Sequence, residues 1–174
     1  MTASARRWPT ASRGSVPFEA AALVNSLLLI QIATSWAMTG IIWFVQLVQY
    51  PSFREVGSAS FTQFHAHHSA AITVIVAPLM ILEAGSAVAF LWEPLRIQAA
   101  WQIWLGIGLV ALIWASTFLL QVPMHSRLAS GFDESAWRVL VNTNWVRTLA
   151  WSARAILVTY WVRQALRVAE RFGA

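Results

Sequence analysis

The chain is 174 residues long, 58% apolar and 11% charged, whereas a soluble domain carries about a quarter of its residues as Asp, Glu, Lys and Arg. That is too little charge to coat a water-facing surface, so a lipid bilayer is the expected partner. The absence of cysteine excludes disulfides, thiolate metal sites and cysteine nucleophiles. The net charge of +5 rests on arginines that form no basic stripe with interleaved aromatics, so nucleic acid is not an expected partner.

Taken in chain order, residues 1–17 (MTASARRWPTASRGSVP) carry no periodic apolar pattern and read as a polar cytoplasmic tail. The apolar stretch after them is too long for a signal h-region. It is the first of four runs near the length a bilayer requires, about 20 residues each. The runs cover about 20–49, 61–92, 98–122 and 137–163. Pro51 is expected to end the first and Pro123 the third, because proline removes a backbone donor and crowds the preceding turn. Pro78, inside the second run, is expected to kink it for the same reason. Glu93-Pro94 closes that run. The predicted fold is therefore all-α, an integral membrane four-helix bundle over residues 18–174.

Loop charges set the orientation. Arg6, Arg7, Arg13, Arg96, Arg163, Arg167 and Arg171 fall on one side, and Arg54, Arg127, Arg138 and Arg147 on the other. The excess of positive charge marks the cytoplasmic face. The expectation is a multi-pass protein of the inner (cytoplasmic) membrane with both termini in the cytoplasm. Eleven tryptophans suit a headgroup-level belt. Small residues such as Ala33, Ala37 and Gly40 allow close helix approach.

Polar side chains inside a membrane are costly unless they pair or line a cavity, so where they gather is informative. Gln46, Gln49 and Tyr50 lie at the end of the first run, and His65, His67 and His68 at the start of the second. Gln121 and His125 end the third, and Asn144 and Arg147 open the fourth. All four runs thus bring polar groups to one level. His65 and His68, three apart, share a helix face, and His67 points elsewhere, to solvent. With His125 they make a candidate metal site, since three neutral imidazoles suit copper, zinc or iron, with haem ligation as the related option. Gln49, Tyr50 and their neighbours would supply a further ligand, a hydrogen bond to one, or substrate contacts. Interfacial histidines satisfied by water and headgroups, and an organic-ligand site without metal, remain open beside that reading. No residue stands out as catalytic.

Glu83 lies roughly five helical turns, about 27 Å, beyond His65 and cannot share its site. The fourth run is antiparallel to the second and brings Arg154 to a similar depth. A buried Glu83–Arg154 pair is expected, because either charge alone would be expensive. Arg147, Trp151 and Arg154 share one face, and an arginine face in a bundle can hold a carboxylate, a phosphate or a haem propionate.

Thr39-Gly40 in the first run, Tyr50-Pro51-Ser52-Phe53 at its end and Pro123-Met124-His125-Ser126-Arg127-Leu128 after the third resemble the small four-helix membrane proteins of the anthrone-oxygenase-like type. That resemblance implies oxidation of an aromatic or other lipophilic substrate at the membrane. The His-x-x-His of the second run and the Asn-Trp-x-Arg of the fourth stand outside it. The functional expectation is a metal- or haem-binding membrane oxidoreductase acting on a lipophilic small molecule. The alternative is a non-catalytic subunit of a larger respiratory or photosynthetic complex, or a homo-oligomer, binding haem, pigment, quinone or lipid.

Overall fold

The computed structural model describes residues 18–92 and 98–171. The expected polar tail, residues 1–17, and the residues expected to close the second run, Glu93-Pro94, with Arg96 after them, lie outside the described residues. Every regular element among the described residues is helical. Helix α1 spans Phe18–Phe44 and passes through a π turn, Val45–Gln49, into α2, Tyr50–Ser52, and a 3-10 turn, Phe53–Glu55. Helix α3 spans Ser58–Trp92 and α4 spans Ala100–Ser116. A second π turn, Thr117–Gln121, leads into α5, Val122–Leu128, and α6 runs from Glu134 to Arg171. Three stretches are long and apolar enough to cross a membrane: Val24–Glu55, Ser58–Trp92 and Ala100–Leu128.

Pro51 and Pro123 do not end their helices, contrary to the expectation from sequence. Each sits in the first turn of a short helix immediately after a π turn. Proline is tolerated at a helix start, where its missing N–H is not required. The widened π turn re-phases the hydrogen-bond ladder so that the ring meets such a position instead of a helix interior. Gln-x-Pro occurs at both places (Gln49-Tyr50-Pro51 and Gln121-Val122-Pro123). The chain then turns into α6 through Gly131, whose φ of 141° lies where L side chains are strained. Asp133 caps α6. Its Oδ1 accepts from the N–H groups of Ser135, at 2.8 Å, and Ala136, at 3.1 Å. The Ser135 hydroxyl, and then the Ala136 N–H, hold the Asp133 carboxyl below its usual pKa.

Helix α1 packs on α3 and α6, and α4 packs mainly on α6. The buried positions of α3 fall into two groups. Phe61, His65 and His68 lie near its start, and Met80, Glu83, Ala87 and Phe90 near its end. Between them the inward side of α3 does not close against a neighbour. Outward, the surface is strongly apolar: Val74 is 75% exposed, Leu119 72% and Trp92 76%. Burying such side chains is worth roughly 1.5–3 kcal/mol each, so this surface is unfavourable in water and suits lipid.

Helix α6 shows the same inversion. Asn144, Arg147, Thr148 and Arg154 face inward and are buried, while Leu149, Ile156 and Tyr160 face outward and are exposed. Trp36 and Trp43 of α1 clasp α6 from outside, donating through Nε1 to Thr159 at 2.9 Å and Ser152 at 3.0 Å.

One polar knot joins these helices in the interior. Arg154 Nε donates to Glu83 Oε1 at 2.7 Å, with both side chains 1% exposed. Arg154 also donates to Gln31 Oε1 at 2.9 Å, and its guanidinium lies 5.2 Å over the Trp161 ring. The hydroxyls of Thr34 and Ser35 donate to the two oxygens of Glu83. A Cβ on Gly106 of α4 would collide with Arg154 and with Trp161, so α4 approaches this knot only because residue 106 has no side chain.

Removing one partner of a buried pair costs about 3–5 kcal/mol, and forcing a methyl into a filled contact costs about 1–3 kcal/mol. Glu83→Gln and Gly106→Ala are therefore expected to lower the thermal unfolding midpoint of the detergent-solubilised protein, Glu83→Gln by more. Neutralising both charges (Glu83→Gln with Arg154→Met) is expected to recover much of the first loss. An unchanged midpoint in Glu83→Gln would contradict a structural role for the pair.

Candidate functional site

The unclosed stretch of α3 forms one wall of a cleft of about 660 Å³. Its walls are mostly apolar, with Ile72, Val76 and Met80 from α3, Met38 and Ile42 from α1, and Trp114 from α4. Its mouth lies between α3 and the α4–α5 helix, where Ile81 and Phe118 are exposed. The volume lies in the range of small-molecule sites, about 300–1,000 Å³.

One end of the cleft is polar. Tyr50, His65, His68, Gln121, His125 and Arg147 all line it. The two π turns contribute directly, since they deliver Tyr50 and Gln121 to this end and set the start of the α5 turn that carries His125. Turns of this kind recur at functional sites.

The imidazoles form a chain with Tyr50. His65 Nε2 and His125 Nδ1 lie 3.0 Å apart, and His125 Nε2 lies 3.1 Å from the Tyr50 hydroxyl. A neutral imidazole carries one N–H and one acceptor nitrogen, so this chain has two consistent directions. Either Tyr50 donates to His125 and His125 to His65, or every bond is reversed. A proton taken up at Tyr50 and one released from the far ring nitrogen of His65 convert the first pattern into the second. His68 is stacked on His125, with ring centroids 6.1 Å apart and planes at 24°. It makes no hydrogen bond among the described residues and leaves its ring nitrogens to the cleft. Fully buried Phe53 is the apolar hub of the cluster, with its ring edge-on to His68 at 5.0 Å and to His65 at 5.8 Å. Phe61 stacks on His65 at 5.8 Å.

Behind the imidazoles lies an amide clamp. Asn144, fully buried, donates through Nδ2 to Gln46 Oε1 at 2.9 Å and accepts at Oδ1 from Arg147 at 3.3 Å. Gln46 in turn donates to the Val141 carbonyl. Gln46 and Asn144 are thus scaffold for Arg147 and do not line the cleft. Gln49 is half-buried outside the cleft, and His67 is exposed. Gln121 donates to Thr143 at 3.0 Å, and its buried Oε1 has no partner. The buried hydroxyl of Ser69 and Nε of Arg147, two residues that line the cleft, lack partners too. Buried polar atoms are nearly always hydrogen-bonded; unpaired ones also occur away from the cleft, at Gln31, Gln98 and Gln102 among others, so it is the apolar walls and polar end together that mark this cleft.

Sequence reasoning did not single out Phe53, Phe61, Ser69 or Thr143 for this site. His65 and His68 are three apart and followed by Ser69, and that adjacency is the available signal for Ser69. Imidazoles are the donors copper, zinc and iron prefer. The facing nitrogens of His65 and His125, 3.0 Å apart, stand near the roughly 3.3 Å separation of two ligands on one ion with bonds of about 2.0–2.1 Å. His68 is stacked alongside them, and His125 Nε2 is held by Tyr50. Among the described residues no group of three or more His, Cys, Asp or Glu side chains is arranged to hold an ion.

Asn144→Ala strands both Gln46 and Arg147, and a buried group left unpaired costs about 1–3 kcal/mol. The variant is expected to unfold at lower temperature than wild type, whereas Gln49→Ala is expected to leave the midpoint unchanged. Equal midpoints for the two variants would argue against the clamp.

Comparison with known protein families, with curated proteins and with solved structures gives no match.

Proposed function

We propose that this chain is a four-span membrane protein that admits a lipophilic substrate sideways from the bilayer and acts on it, as an oxidoreductase, at the histidine end of the cleft. The observation that supports this is the cleft itself, which is apolar along its walls, polar at one end and open between two helices whose outer faces suit lipid. The inverted face of α6, polar inward and apolar outward, favours counting it as the fourth span. In the proposed arrangement α3 bends at Pro78. Both termini lie in the cytoplasm, in keeping with the arginine distribution, and the histidine end lies at the outer face.

The Tyr50–His125–His65 chain suits proton exchange with a hydroxyl or carbonyl group of the bound molecule, which accompanies oxidation and reduction of such groups. Proton transfer by a positioned side chain contributes typically 10²–10⁴-fold. Triad and paired-carboxylate arrangements, which would favour hydrolysis, are not found among the described side chains of the cleft. In an alternative state, a copper or iron ion held by the facing nitrogens of His65 and His125 would take the place of their hydrogen bond and would supply one-electron redox chemistry, with His68 beside it and Tyr50 still bonded to His125 Nε2.

The test is the purified protein in detergent, assayed by native mass spectrometry for co-purifying lipophile, by elemental analysis and by optical spectroscopy. Ala77→Trp places an indole in the cleft and is expected to abolish a bound lipophile while the fold is kept. Retention of the lipophile in Ala77→Trp would refute the cleft. Stoichiometric copper or iron, or a Soret band, lost in His65→Ala and His125→Ala is the expected result for the metal. A metal-free, colourless wild type would remove it, and stable co-purifying subunits would favour an accessory role.

A further inference from the structure

Among the described residues two guanidinium groups are buried, Arg147 and Arg154, and the fold treats them differently. Arg154 is paired with Glu83 at 2.7 Å and Gln31 at 2.9 Å. Arg147 is 6% exposed and has no carboxylate among the described residues within ion-pair distance. Its one hydrogen bond to an amide is long, 3.3 Å to Asn144, and its Nε–H has no acceptor. The Tyr50 hydroxyl is a hydrogen-bond partner of Arg147 and is shared with His125, so that contact is neutral and leaves the cation without a counter-charge. The surrounding imidazoles and amides bring no negative charge.

A cation left in this state is costly. A single charged side chain at membrane depth is costly, and an unsatisfied charged donor adds to that cost. Arg154 shows that this sequence can place a carboxylate against a buried arginine where structure requires it. At Arg147 the space a carboxylate would fill is cleft.

We propose that Arg147 is the anion-binding residue of the cleft, and that the molecule taken there is an amphiphile carrying an oxyanion head, carboxylate or phosphate, on an apolar tail. This rests on the cleft being a lipophile site, as proposed above. The head meets the guanidinium where Arg147 lines the cleft, a planar group that matches both oxyanions in a two-point fork. His68, with uncommitted ring nitrogens, stands at the same end to complete its hydrogen bonds. The tail runs along Ile72, Val76 and Met80 toward the mouth between α3 and α4. Asn144 is the positioning residue, because its Oδ1 is the fixed point that holds the guanidinium in register.

The experiment is equilibrium binding of a fluorescent polyene fatty acid, and of the alcohol with the same chain, to the full-length protein in a non-ionic detergent. Phosphatidate and an unlabelled fatty acid serve as separate displacing arms. Wild type is expected to prefer the acid over the alcohol by on the order of tenfold to a hundredfold, the value of one charged hydrogen-bonded contact. Arg147→Gln is expected to erase that preference while leaving alcohol binding in place. Arg147→Lys, which keeps the charge and loses the fork, is expected to retain part of it and serves as the readout if Arg147→Gln does not fold.

Displacement by the fatty acid alone identifies a free carboxylate as the head, and displacement by phosphatidate identifies a lipid phosphate. An acid-to-alcohol ratio near one in wild type, or a ratio unchanged in both Arg147 variants, overturns the inference. If Ala77→Trp still blocks both probes in that case, the cleft reading survives. If neither probe binds wild type, both readings fall.

Discussion

The buried ion pair between Glu83 and Arg154 organises the rest of the molecule. It carries no bulk water around it, so every oxygen and nitrogen must be met by protein. Thr34, Ser35 and Gln31 do this from α1. The pair therefore ties α1, α3 and α6 at one depth, and Gly106 lets α4 close over it. Once that level is fixed, the registers of the helices above it are fixed too. Five turns along α3 from Glu83 comes His65, and two turns back along α6 from Arg154 comes Arg147.

The histidine end is set by a second constraint, which is proline placed where helices are still needed. Both proline-bearing helices run through a π turn before the ring. Each π turn inserts an extra residue and rotates the downstream helix about its axis. Tyr50 and His125 meet at 3.1 Å because the chain beyond each bulge has been re-aimed inward. A straight α-helix through the same residues would send these side chains to other faces. The cleft has a related origin, since α3 touches its neighbours at its start and end and stands off between them.

The two buried arginines illustrate how similar residues acquire different roles. Both lie on the inward face of α6, with Trp151 between them. One meets a carboxylate across the interior and becomes structure. The other meets amides, a hydroxyl and open space, and keeps unused hydrogen-bonding capacity. In a low-dielectric interior such capacity is a strong attraction for a matching anion.

Composition and run length determined the helical class, the apolar outer surface and three of the four expected apolar runs, because these depend on local hydrophobicity that needs no neighbour. Spacing alone placed His65 with His68 and separated His67, since a helix face is a local property. Depth arithmetic along antiparallel helices placed Glu83 near Arg154. Only the tertiary structure decided the rest. It carried the helices through Pro51 and Pro123 and assigned Gln46 and Asn144 to scaffold. It also left Gln49 outside the cleft, put Phe53 at the centre of the imidazoles and left Arg147 without a carboxylate. Each of these depends on which side chain from a distant segment occupies the facing position, and periodicity within one helix carries no information about that.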